Sequence, residues 1–472
     1  MRHELGHDIV RAVTLSGRPA TTRSPDDDSG ARAWVPTLTG TDALRALAVV
    51  EGIADDLVTY ETAHPAALDD AGSLASGRAG LALFHLYRYR ATGNTDARAE
   101  ATEMLAAAID DAAAVPGGYG LGGGLAGVGF AIAHAARYLG ADPDDLLGGT
   151  DGTLLRLAES RPWQGPFDLV DGLVGLGVYG LERLPSPAGA RLVAVTTARL
   201  AEQAEYHREG ITWSTPPRLL PQPSARVTPF GRHDLGVARG VAGVIGFLAR
   251  ASLAGIDVPA RALLEGAVAW LHSQPKAGPD TAGACFPAWT APGTEPAGPA
   301  RTAWCNGDPG VAAALSVAAR ALDREDMLAA ALGLARDAAR RPLEGTGVVD
   351  GGLCHGAGGL GVVFARLHAA SGDPVLRAVA RSWFRHTLDL ARPGMGFGGY
   401  SAWRYTHEAT GGWENEPGLL EGAAGVGLAL LAAATPVDPA WDRLLLLSGK
   451  PEDRSVASIA RDDEQAGEGH RT

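Results

Sequence analysis

Apolar residues along this chain fall into two alternating kinds of segment. In the first kind Ala, Leu, Val and Gly run on almost without interruption, as in SGRAGLALF, GGLAGVGFAIAH, DGLVGLGVYGL, RGVAGVIGFLA and EGAAGVGLALLAAA. A helix that is apolar nearly all round belongs in a core. In the second kind apolar positions recur at spacings of three and four with Arg, Asp and Glu between them, the pattern of a helix with one solvated face. Segments 41–60, 97–114, 144–158, 187–206, 259–273, 322–340 and 373–391 are of this second kind. Strand signals are few. The Gly-, Pro- and Trp-rich stretches 207–235, 275–304 and 392–420 are too polar and too punctuated for core strands. They are expected to be long loops, which carry function when they overlie a site.

The apolar helices share a start. Gly-x-x-Gly opens each one, the first glycines being Gly77, Gly124, Gly172, Gly240, Gly307, Gly356 and Gly422. The second glycines are Gly80, Gly127, Gly175, Gly243, Gly310, Gly359 and Gly425. Successive units are about 48 or about 67 residues apart, room for one further helix with its loops. A glycine inside a helix costs roughly 1 kcal/mol relative to alanine, so a cost repeated seven times needs a compensating cause. The paired glycines clear one face at each helix N-terminus for close backbone approach. The pattern predicts an all-α fold, a seven-fold α/α toroid (barrel) of seven inner and seven outer helices, with the inner N-termini gathered at one end. An open helical solenoid is the alternative. Residues 39–448 are expected to form this single domain. Residues 1–38 are an N-terminal segment, partly disordered over its polar stretch 18–38, and 449–472 a disordered C-terminal tail.

Composition narrows the function. The 472-residue chain holds 64 glycines and carries a formal net charge of −13, which argues against a nucleic-acid partner and is compatible with a cationic peptide. No apolar run approaches the ~18 residues of a membrane span, and the N-terminus does not read as a signal peptide. No membrane insertion and a cytoplasmic location are therefore expected. Three cysteines, Cys285, Cys305 and Cys354, are too few for a disulfide framework and point toward metal or catalytic work.

Two of those cysteines sit in register. Cys305 lies two residues before its unit's first glycine, and Cys354 two before the next unit's, with His355 beside it. In a ring, equivalent positions of adjacent units face the same space. Two thiolates and an imidazole suit one Zn2+ ion, and three protein ligands leave a fourth position open, as in catalytic zinc sites. The other reading of the two cysteines is that they are small buried hydrophobes. Cys285 is out of register and is read as structural or incidental.

The seven Gly-x-x-Gly units, with Trp-Cys-x-Gly-x-Pro-Gly at 304–310 and Cys-His-Gly at 354–356, resemble the lanthionine synthetase C (LanC) family of cyclases from about residue 40 to 436. The resemblance implies an α/α barrel with zinc held by Cys305, Cys354 and His355. It further implies a zinc-dependent cyclase that adds peptide Cys thiols to dehydroalanine or dehydrobutyrine, forming lanthionine or methyllanthionine rings in lantibiotic-type biosynthesis. The implied partner is a dehydrated ribosomal precursor peptide, with a dehydratase and a transporter as further candidates. The family's acidic residue maps onto Asp168 and its arginine onto Arg301. Where the family places a histidine before the fourth unit's first glycine this chain has Arg239, and Asn306 follows the first zinc cysteine in place of Tyr or His. Arg239 is a poor general acid but suits enolate stabilisation, and His233, six residues earlier, is the candidate proton donor.

Plainer roles stand beside these. Asp168 and Asp171 also suit helix capping, and Arg301 an ordinary ion pair. Trp304, Trp403 and Trp413 are candidates to line the cavity mouth, with core packing the plainer and favoured role, Glu421 faces the centre by register, and His407 is expected on a loop surface. Two further functional readings are a small-thiol (glutathione-type) transferase to dehydroamino acids and a non-catalytic zinc-binding scaffold for a dehydratase or transporter. A glycosidase is disfavoured because no pair of acids stands in register at the centre.

Overall fold

The computed structural model describes residues 33–63, 71–114, 118–256, 259–274, 286–405 and 411–449. Seven inner helices start at the glycine-led positions: Arg78–Thr92, Leu125–Leu139, Leu173–Glu182, Val241–Leu253, Asp308–Leu322, Ala357–Ser371 and Ala423–Ala434. Each packs on the next, and Ala423–Ala434 packs on Arg78–Thr92, so the ring closes and the open solenoid is excluded. Seven outer helices follow the half-polar segments: Gly40–Ala63, Thr95–Ala114, Pro143–Glu159, Pro187–Gln203, Pro259–Ser273, Glu325–Ala339 and Pro374–Asp389.

Each of the first six inner helices packs on the outer helix that follows it. The last inner helix takes its outer partner from the start of the described chain, Gly40–Ala63. The junction extends upstream, where Thr37 and Leu38 donate backbone hydrogen bonds to Ala433 O and Trp34 Nε1 donates to Ala432 O. Trp34, Thr37 and Leu38 are buried, so residues 33–38, read as the end of a tail, are part of the packed structure. The rest of the tail expectations, 1–32 and 450–472, lie outside the described residues.

The outer helices bury one stripe. In Pro374–Asp389 the buried positions are Leu376, Ala380, Phe384, Thr387 and Leu388. The bore is filled from one end by residues 440–447, whose Trp441, Leu444 and Leu445 are buried. Among the described residues, the loops 207–235, 275–304 and 392–420 contribute short two-stranded pairs, Glu205–His207 with Gly210–Thr212, His233–Asp234 with Trp289–Thr290, and Ala402–Tyr405 with Gly411–Glu414, and the short helix Gln222–Val227.

The glycine pairs have a common cause. The loop leading into each inner helix folds back over the helix N-terminus. A side chain at Gly80, Gly127, Gly175, Gly243, Gly310, Gly359 or Gly425 would collide with the carbonyl oxygen six residues earlier, those of Leu74, Leu121, Leu169, Val237, Trp304, Leu353 and Leu419. The fold-back puts the position two before each first glycine on the ring's inner rim, where backbone hydrogen bonds pass from unit to unit. Ala75 N donates to Gly122 O (3.0 Å), Gly122 N to Val170 O (2.8 Å) and Leu169 N to Ala238 O (3.2 Å). Ala238 N then donates to Cys305 O (3.0 Å), Cys305 N to Cys354 O (3.2 Å), Cys354 N to Leu420 O (2.8 Å), and Leu420 N back to Ala75 O (2.8 Å).

Candidate metal centre

Cys305 and Cys354 stand at neighbouring positions of this hydrogen-bonded ring. Their sulfurs and a ring nitrogen of His355 all lie within 4.8 Å of one another. Donors on a tetrahedral zinc, with bonds of ~2.0–2.3 Å, are under about 4 Å apart, so small side-chain rotations suffice to bring the three onto one ion. Both cysteines are free, Cys354 buried and Cys305 partly so.

The electrostatics favour thiolate at Cys305. The Cys305 thiol is held well below the usual range, first by its hydrogen bond with Cys354 and then, against burial, by His355 and the positive charge of Arg301. Cys354 is pushed up by the same hydrogen bond and by burial. Burial pulls the His355 imidazole down, but Cys305 outweighs it and the ring is more basic than usual. Thiolate character and an imidazole at donor distance are what a zinc ion requires, and the residues fit it.

Around this group the rim is charged. Arg301 acts on both cysteines electrostatically and makes no ion pair among the described residues. Arg239 bridges two carboxylates, with its Nη1 2.8 Å from Asp171 Oδ2 and 3.2 Å from Asp168 Oδ2. Asp168 also accepts the Asp171 amide at 2.8 Å, so it closes the turn before the helix as well as facing Arg239. Burial raises the Asp168 carboxyl above its ordinary range, with Arg239 opposing. Tyr119 belongs to the same corner, its phenol pushed up by burial and then by Asp168 and Asp171. Nothing in the sequence pattern singled it out.

Glu421 stands on the other side of the Cys305–Cys354–His355 group, 4.0 Å from His355 Nδ1. Arg404 pairs with Glu421 at 2.5 Å and with Glu416 at 2.6 Å. Arg404 comes from a strand in a loop otherwise read as surface, and only three-dimensional proximity reveals it. Asp350 binds the Gly352 and Trp403 amides through its two oxygens and joins that loop to the sixth unit.

The remaining candidates separate from this centre. His233 Nε2 lies 2.9 Å from Glu205, and its ring packs on Trp270. Trp304 is buried and donates to Leu445 O, while Trp403 and Trp413 pack edge to face 5.3 Å apart. Cys285 and His407 lie outside the described residues.

A seven-fold helical ring with two cysteines and a histidine on its rim defines a class, and comparison with known proteins agrees. The family model "Lanthionine synthetase C-like protein" matches residues 69–446. The chain belongs to the lanthionine synthetase C-like family. Among solved structures 13 chains match. One is "Nisin cyclase", aligned with a TM-score of 0.68 at 17% identity over 84% of this chain and 97% of that chain, which shows a shared fold. No curated protein matches. No helix among the described residues is long and apolar enough to cross a membrane.

Proposed function

We propose that this protein is a zinc-dependent lanthionine cyclase acting in the cytoplasm on a dehydrated ribosomal precursor peptide. The observation that carries the reading is the convergence of Cys305, Cys354 and His355 within donor distance on the rim of a family-typical ring. These three residues would hold the zinc, which when bound supplies a substrate cysteine sulfur as thiolate near neutral pH.

The chain's own residues account for the rest. Addition of sulfur to the β-carbon of a dehydro residue moves the C=C electron pair toward the carbonyl oxygen, and the resulting enolate must gain a proton at its α-carbon. Arg301, without an acidic partner among the described residues, would offset negative charge at the thiolates. Arg239 is locked by Asp168 and Asp171 yet 53% exposed, so its outward N–H groups are oriented toward incoming substrate. Fixed donors of this kind stabilise charge as it develops. We assign the proton transfer to Asp168: its carboxylate, held by Arg239, would take the proton that the substrate thiol loses and return it to the α-carbon. His233 is committed to Glu205. A dehydratase and a transporter are the partners a precursor-modifying cyclase would have.

The test is thiol alkylation of a dehydrated precursor. Ring closure conserves mass but removes one alkylatable thiol per ring, so loss of alkylation with fragmentation-resistant rings is expected with the metal-loaded protein. Full alkylation after prolonged incubation overturns the cyclase reading. Adducts with added glutathione in place of rings would make it a small-thiol transferase.

A further inference from the structure

The segment between outer helix Pro187–Gln203 and inner helix Val241–Leu253 holds a second set of converging donors. Glu205 and His207 are two apart in strand Glu205–His207 and so share one face of it. Strand His233–Asp234 brings His233 against them. His233 Nε2 lies 2.9 Å and His207 Nε2 3.7 Å from the same oxygen, Glu205 Oε2. One donor atom from each residue lies within 4.8 Å of the other two, and the two imidazole rings stand 6.1 Å apart, nearly perpendicular.

Other contacts hold these donors in place. The Ser214 hydroxyl donates to Glu205 Oε1, leaving Oε2 for the histidines, and the His233 ring packs on Trp270 at 5.4 Å. Such outer contacts fix ligand orientation at metal sites. Side-chain exposure runs from 12% at His233 to 38% at Glu205 and 40% at His207, so an ion can enter and water can complete its coordination.

We propose that Glu205, His207 and His233 form a second metal site, separate from the thiol site, that takes one divalent transition-metal ion. Two imidazoles and one carboxylate suit Zn2+, Co2+, Ni2+ or Cu2+, whereas Mg2+ and Ca2+ prefer all-oxygen sites. The ion would join the 205–212 hairpin to the strand that continues into Ala238 and Arg239. Ala238 hydrogen-bonds Cys305, so occupancy would brace the segment carrying Arg239 to the rim. This site does not depend on the cyclase reading.

The experiment is metal titration of the full chain with Co2+. Thiolate ligands give sulfur-to-cobalt charge-transfer absorption and nitrogen–oxygen ligands do not, so the two sites report separately. Wild type is expected to bind two equivalents. His207→Ala, at an exposed position, and the His207→Ala/His233→Ala double variant should each bind one and keep the charge-transfer band. Cys305→Ala/Cys354→Ala should bind one and lack the band. If the histidine variants bind as many ions as wild type, the three residues are an ordinary Glu–His cluster and the proposal is overturned. If only the cysteine variant fails to lose an ion, the thiol site falls and this one stands.

Discussion

The Cys305 amide donates to the carbonyl oxygen of Cys354 at 3.2 Å. This bond belongs to the backbone ladder that links all seven units around the rim, so the backbones of the two thiol-bearing residues are fixed relative to each other by the whole ring. Only side-chain torsions remain to be set when a metal binds, an arrangement that lowers the ordering cost of the site.

Cys305→Ala and Cys354→Ala should each remove zinc from the thiol site and abolish ring formation, whereas Cys285→Ala should do neither. Metal analysis beside the alkylation assay, with circular dichroism to confirm retained helicity, checks this. Zinc at full occupancy of the thiol site in both register variants would contradict the assignment.

Asp168→Asn should slow cyclisation by about 10²-fold or more, the range for loss of a positioned proton donor. His233→Ala should leave the rate close to wild type when the thiol site is loaded. Single-turnover rates of ring closure decide between the two residues, and the reverse ranking would move the proton to His233.

Two glycine-to-alanine changes should act in opposite directions. At Gly127 the new methyl would run into the Leu121 carbonyl oxygen and lie 2.8 Å from Leu74 Cβ, an overpacking that costs about 1–3 kcal/mol or more. At Gly333, within outer helix Glu325–Ala339, a methyl meets nothing within 4 Å. Better helix propensity there should stabilise by up to about 1 kcal/mol. Denaturant midpoints of the two variants test the fold-back account of the glycine pairs.

His134 is expected to make the fold acid-sensitive. It is buried between Tyr87, 2.9 Å from Nε2, and Glu182, 3.1 Å from Nδ1, with Arg137 and Arg443 also beside Glu182. Burial, the dominant effect, lowers its pKa to about 4 although Glu182 opposes the shift. An unfolded chain binds this proton below about 6.5, while the folded chain resists until about 4. Its contribution to stability is therefore complete above the unfolded value and declines as pH falls through that window. The expected loss is on the order of a few kcal/mol. Melting temperatures from pH 7 to pH 4.5 should drop less steeply in His134→Gln than in wild type, and parallel curves would contradict this.

The ring was legible because its signal repeats. Gly-x-x-Gly recurs wherever a loop must cross a helix N-terminus, and the half-polar segments mark the outer layer. Cys305, Cys354 and His355 were legible for the same reason, since equal offsets from the glycines become equal places on the rim. Arg404 and Tyr119 were not, because neither stands at a repeated offset and both reach the centre through loop geometry. His233 reads in one dimension as a neighbour of Arg239, yet a short strand carries it onto Glu205 and His207. The pairing of Gly40–Ala63 with the last inner helix was also invisible, because a linear pattern holds no record of which ends meet.

That pairing constrains how the molecule is born. As the chain leaves the ribosome, Ala46, Val50 and Leu57 of outer helix Gly40–Ala63 must wait for their main partner, Ala423–Ala434, to emerge. Contacts this distant in sequence form slowly. Nascent chains that stall short of the seventh unit therefore present a sticky stripe and a half-covered first inner helix at one end and a half-covered Ala357–Ser371 at the other, and chaperone capture or self-association is the expected fate of any product truncated there.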